Sequence, residues 1–364
     1  MRGWTRRVVL MVFLLLLCPV RARADLASDF AVEQVQQALP QETRELLGRQ
    51  LPSADALDGL LEKLWERAAG LFREQLKAVL RPTVGMLALV SLCTAAEGLT
   101  ESGNGINYVN LCTCLGLALL SMGDMRSLLS LGRETMEILS LFSKALLPTL
   151  SAVSAASGAL SAAPAKYAAS MLFLDLLMNA ANALVFPFIC AYLAALLADA
   201  ALPGSKLAAA VKLLKWACGF VMTALVTAFT AYLSLTGLLS ASRDALAVKA
   251  TKTFLSSALP LVGRMVSEAS ESLVAGAGVL RASLGVFGML AVLSLCLLPF
   301  VSLGLRYLVF KLVAALACVV SGERLSRLIE GVSTACGMLL GLVGTEAAML
   351  YLSIISLIKV VSPS

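Results

Sequence analysis

The 364-residue chain contains no histidine. That absence removes imidazole, the commonest general base, together with the triads and His-ligated metal sites that need it. Charge is also scarce. Asp, Glu, Lys and Arg make up 14% of the residues, against about 25% in a soluble domain. The net charge of +6 comes without a basic tract interleaved with aromatics, so nucleic acid is not an expected partner. There is no phosphate loop, no metal-ligand set and no nucleophile–base pair. Catalysis, ATP hydrolysis and a bound cofactor or metal are therefore not expected. The nine cysteines are Cys18, Cys93, Cys112, Cys114, Cys190, Cys218, Cys296, Cys318 and Cys336. All stand in apolar surroundings and read as small packing residues. Cys112-Thr-Cys114 has no second pair at zinc spacing.

What the chain does have is apolar side chains, 59% of the total. That is too many to bury in a water-soluble form, so lipid is the expected solvent. Residues 1–24 read as an export signal: Arg2, Arg6 and Arg7, then the apolar run Val8–Val20, then Ala22-Arg23-Ala24 at an A-x-A cleavage site. An uncleaved anchor would give the same topology. Residues 25–81 are more charged and read as a short extracytoplasmic helical region. Leu57, Leu60, Leu61, Leu64, Ala68, Leu71, Phe72 and Val79 fall on one helical face there. Residues 82–125 read as a transmembrane hairpin, Val84–Leu99 and Ile106–Met122, followed by a polar connecting stretch near 124–144.

The rest of the chain reads as two tandem copies, 140–241 and 252–361. Leu147-Pro148 aligns with Leu259-Pro260, and Pro187-Phe188 with Pro299-Phe300, both at an offset of 112. Gly204, Leu207 and Cys218 align with Gly322, Leu325 and Cys336 at 118, and Tyr232-Leu233-Ser234 with Tyr351-Leu352-Ser353 at 119. Each copy opens with a Leu-Pro segment rich in small residues. A long apolar segment interrupted by proline follows, then a short amphipathic link and a final span. Pro148, Pro187, Pro260 and Pro299 are the candidate helix breaks. The long segment is either two short crossings bent at proline or one kinked helix; an odd number of crossings per copy gives inverted repeats and an even number parallel ones. The expected fold is all-α: a polytopic membrane protein with two tandem repeats of broken or re-entrant helices.

Polar groups inside such a body are the candidates for function. Asp175, Asn179 and Asn182 recur at helical spacing and form a polar stripe. Arg264 and Glu268 are four apart and can pair at a pore or partner surface. Glu346 is a lone acid in the last span, and Arg306 or Lys311 could pair with it or snorkel to a surface. Gly337 and Gly341 form G-x-x-x-G, a packing motif.

The stretch "ALPLVGRMVSEASESLVAGAGVLRASLG" (258–285), with "LPLVGRMVSEA" followed by Arg281 and Gly285, resembles the stage III sporulation protein AE family. The order of features agrees, from export signal through a short helical region to a polytopic body. The likeness runs from about residue 80 to the end. It implies a role in endospore formation, in the mother-cell membrane surrounding the forespore. The implied partners are the lipid bilayer, other stage III sporulation proteins, including an ATPase and ring-forming subunits, and a forespore membrane partner. Together these would form a channel or secretion-like complex. The resemblance carries no catalytic residues. A stand-alone secondary transporter and a non-conducting scaffold for ring-forming partners are the alternatives.

Overall fold

The computed structural model describes residues 33, 35–47, 56–99, 108–156, 163–201, 207–258, 262–321 and 323–359. The expected signal over 1–24 and the expected break at Pro260 lie outside them. Among the described residues 98% are helical and none is in a strand, in agreement with an all-α fold. The helices are α1 (Gln41–Leu47), α2 (Ala56–Leu99), α3 (Tyr108–Ala156), α4 (Ala163–Ala180), a π-helical turn (Ala181–Val185), α5 (Phe186–Ala201), α6 (Ala208–Ala258), α7 (Val262–Ser321) and α8 (Glu323–Lys359). Six stretches are long and apolar enough to cross a bilayer: Gly59–Ala96, Cys112–Val153, Ala169–Ala200, Ala208–Leu235, Ala282–Val320 and Leu325–Ile358. The protein is a multi-pass membrane protein by this criterion.

Several expected breaks are continuous helix instead. α2 carries the chain from the charged N-terminal region through Pro82 into the first crossing. Buried Val79 and Met86 anchor the helix on both sides of the proline, and the Thr83 hydroxyl donates to the Val79 carbonyl at 2.8 Å. The stripe expected on α2 is narrower than its sequence pattern: Leu64, Leu71 and Val79 are buried, but Leu61 and Phe72 stay exposed. The polar stretch 124–144 is the middle of α3 rather than a connection. Met125, Leu128, Thr135, Met136, Leu139 and Phe142 recur there at helical spacing and are all buried. Pro148 lies within α3, and α7 runs unbroken through Pro299. The π-helical turn sits directly before Pro187. There the proline ring would clash with the Ala183 carbonyl in a regular α-helix, and the wider turn relieves it. The first long apolar segment is thus one rod interrupted at the π-helical turn, and the second is one continuous helix. The two amphipathic links fold into the first turns of α6 and α8.

The centre of the bundle is the α7–α8 hairpin. Ser326 Oγ donates to the Ala314 carbonyl at 2.7 Å, Ser333 Oγ to Tyr307 at 2.8 Å and Tyr351 Oη to Met289 at 2.7 Å. The three pairs share a midpoint at residue 320, so the hairpin holds one register along its length. In lipid, packing and such interhelical bonds, rather than the hydrophobic effect, bring helices together. The second hairpin, α4–α5 with α6, has the same register. Ser170 Oγ and Tyr232 Oη meet at 3.3 Å across 62 residues, the separation of Met289 and Tyr351. Asp199 closes its turn by accepting from the Leu207 N–H at 2.8 Å.

Glycines set the closest approaches. A Cβ on Gly288 would lie 2.7 Å from Leu146, and one on Gly331 2.4 Å from Leu196. Gly337 meets Tyr307 of α7, whereas Gly341 meets Met222 of α6. The G-x-x-x-G pair therefore packs within the chain, each glycine against a different helix. Outward-facing Leu119, Leu172, Leu312 and Val319 are exposed, as lipid-facing side chains should be.

Candidate functional site

Arg306 sits on α7 within the apolar stretch Ala282–Val320. Its Nε donates to both carboxylate oxygens of Asp124 on α3, at 3.2 and 3.1 Å. Nη1 donates to Gln75 Oε1 on α2 at 3.2 Å and to the Ser302 carbonyl at 3.4 Å. The Arg306 and Asp124 side chains are only 9% and 15% exposed, which makes this a buried ion pair tying three helices together. A guanidinium suits the position because its planar fork can engage a carboxylate and an amide at once. The sequence singles out Arg306 but not its partner. Of the two options the sequence leaves Arg306, pairing with Glu346 or snorkelling to a surface, it takes neither: its counter-ion is Asp124. Lys311 pairs with Glu330 across the α7–α8 hairpin, where both side chains are half exposed.

Glu346 lies on the most buried of the apolar stretches. It is fully buried, and neither carboxylate oxygen has a hydrogen-bond partner. An unpartnered polar group at such a site is costly in stability and is usually kept for function. Glu346→Met, of similar length and without polar atoms, is expected to raise stability by about 1–3 kcal/mol. Thermal denaturation of the purified chain in detergent measures it, and a lowered midpoint would show that the carboxyl is held by something it binds.

Asp175 and Asn179 form part of the expected stripe, with Asn179 Nδ2 donating to Asp175 Oδ2 at 3.2 Å. Asp175 also pairs across to α3, its Oδ1 lying 3.1 Å from Lys144 Nζ. Asn182 falls in the π-helical turn, partly buried, with its Oδ1 unpartnered. The stripe thus splits into a cluster shared with α3 and a residue in the turn. It does not reach Arg306 or Glu346 by any hydrogen bond among the described residues.

A family model described as stage III sporulation protein AE matches residues 54–361. The chain belongs to that family. No curated protein and no solved structure matches it. In the stage III sporulation protein AE match, the aligned region takes in all six apolar stretches. What this chain shares with its family is the membrane body, and the protein is a membrane-spanning sporulation protein.

The family-like stretch that carries Arg264 and Glu268 begins α7, and those two side chains lie outside the described residues. Pro187 and Pro148 are exposed on their helices. Of the cysteines, Cys93, Cys114, Cys218, Cys296 and Cys336 are buried, as packing residues should be, whereas Cys112 and Cys318 are exposed. Among the described residues no group of His, Cys, Asp and Glu could hold a metal ion.

Proposed function

We propose that this chain is the polytopic membrane subunit of a sporulation-specific channel or secretion-like complex between mother cell and forespore. In this reading it sits in the mother-cell membrane around the forespore and is not itself an enzyme. Its partners are other stage III sporulation proteins, among them ring-forming subunits and an ATPase that supplies the energy, and a protein of the forespore membrane. The observation that carries the reading is the Arg306–Asp124 pair buried among six membrane-length helices in a chain of a sporulation family. A buried charge pair of this kind belongs to membrane proteins that conduct or switch more often than to inert anchors.

The tandem-copy reading is part of the proposal. It is supported by the equal registers of the two hairpins and by their two crossings each, which would make the copies parallel. Both hairpin turns then face the same side, and thiol labelling of the turns from opposite sides would contradict it.

The function is tested with Asp175→Ala combined with Asn179→Ala in a spore-forming host. The expected result is a sharp loss of heat-resistant spores while copurification with the other stage III proteins is unchanged. Normal sporulation would remove the conduction reading and leave the scaffold. Failure of any stage III protein to copurify with the unaltered chain would favour a stand-alone transporter.

A further inference from the structure

Among the described residues Glu346 is the only buried acid and Arg306 the only buried cation. Arg306 is already engaged by Asp124. Neither oxygen of Glu346 has a partner among the described residues, and the acid lies well inside the apolar stretch Leu325–Ile358. The nearer end of that stretch, Ile358, is about 18 Å away at 1.5 Å per residue.

The helices packed around Glu346 supply no counter-charge. On α7, the hairpin register and the contact of Gly344 with Phe300 set residues 294–298 opposite it, and the buried side chain among them is Cys296. On α3, this level lies between the Gly132–Leu339 contact and the meeting of Leu146 with Gly288. There α3 buries Met136, Leu139 and Phe142, while its Arg133, Glu134, Glu137 and Lys144 are exposed. α6 meets α8 at Met222, and from there to Leu235 its one ionisable side chain is Tyr232. On α4, Asp175 is held by Lys144 and Asn179. On α5, the Tyr192 hydroxyl donates to Gly331, and on α8 itself Tyr351 donates to Met289. A carboxylate at Glu346 would stand alone in a medium that does not solvate it, at a cost of several kcal/mol.

The open group at the same level favours the neutral acid. Pro299 is buried on α7 and has no N–H, so the Leu295 carbonyl lacks its helical donor. A carboxylate would set acceptors near an acceptor, whereas a protonated carboxyl brings an O–H donor. The hairpin does not need an acid to pack. At the offset set by Tyr232 and Tyr351, the matching position on α6 is Thr227, which is exposed and donates to the Thr223 carbonyl at 2.8 Å.

We infer that Glu346 is a proton-binding site of the membrane body, neutral while the α7–α8 hairpin is closed and exchanging its proton when α7 bends at Pro299. The proline removes a helical bond at the level of the acid, so a bend there parts the hairpin where the carboxyl sits. The ligand is a proton rather than a divalent metal, which takes about six oxygens; the carboxyl and the Leu295 carbonyl supply three. Such a site does not require the channel reading, and no spores enter its test.

The full chain is purified in dodecyl maltoside, a detergent without a carbonyl, and read by infrared spectroscopy at pH 7. Carboxyls in water are ionised at that pH, so a protonated-carboxyl C=O stretch reports one kept from water. The expected result is a single such band that shifts in deuterium oxide and is missing from Glu346→Gln. Absence of the band from the unaltered chain overturns the proton site without any variant having to fold. A band that survives in Glu346→Gln belongs to another group and overturns it as well. Pro299→Ala restores the missing N–H and is expected to slow the deuterium shift roughly tenfold, because exchange of a buried group follows local opening. An equal rate in Pro299→Ala overturns the bend.

Discussion

Arg306→Ala is expected to cost about 3–5 kcal/mol of stability, because it strands the Asp124 carboxylate inside the bundle. Asp124→Ala is expected to cost a similar amount, leaving the guanidinium with only Gln75 and the Ser302 carbonyl. Removing both charges, as Arg306→Met with Asp124→Leu, should recover most of the loss. A buried pair against a well-packed apolar pair is close to neutral, while half a pair is not. The half-exposed Lys311–Glu330 pair is the internal control, and Lys311→Ala should change little. Thermal unfolding of the purified variants in detergent reads all four. Equal midpoints for Arg306→Ala and the unaltered chain would mean that the pair holds nothing together. Recovery of stability without recovery of spores would separate the structural part of the pair from its part in function.

The second large effect is expected at Gly331, where α5 comes closest to α8. A Cβ there would stand 2.4 and 2.5 Å from the two Leu196 methyls, and the Gly331 carbonyl accepts from the buried Tyr192 hydroxyl at 3.2 Å. Gly331→Val must push the helices apart and break that bond, at a cost of about 2–3 kcal/mol. Leu196→Ala in the same chain vacates the space the valine needs and should restore part of the loss. Gly304→Ala is the comparison, since its added carbon would meet only Leu340, at 4.0 Å. If Leu196→Ala worsens Gly331→Val instead of relieving it, the contact is not the cause.

Much of this architecture was legible in the order of residues because lipid imposes simple rules. Long apolar runs must be helices, and single prolines must be absorbed by a kink or a wider turn, as at Pro187. What escaped was the meaning of 124–144. Its charges suggest a connection, yet the buried positions from Met125 to Phe142 keep a helical rhythm that the exposed charges mask. The rhythm was there to be found by testing one face rather than mean polarity. The partner of Arg306 was not available in that way. Asp124 lies 182 residues earlier, and Glu346 was the nearer acid of equal standing. A lone charge in a membrane helix says that it needs a counter-ion, and only the packing of three helices says which one. Tyr232 and Tyr351, which align as letters, each make an interhelical bond across 62 residues, one with the Ser170 hydroxyl and one to the Met289 carbonyl.

That separation of 182 residues has a consequence during synthesis. At about 5–20 residues per second, α3 leaves the ribosome roughly 10–40 s before α7. Throughout that interval Asp124 has no cation opposite it, so α3 should be retained at the insertion machinery or shielded by a chaperone. A ribosome stalled before Arg306 would release a chain that quality control can recognise by its unmatched acid.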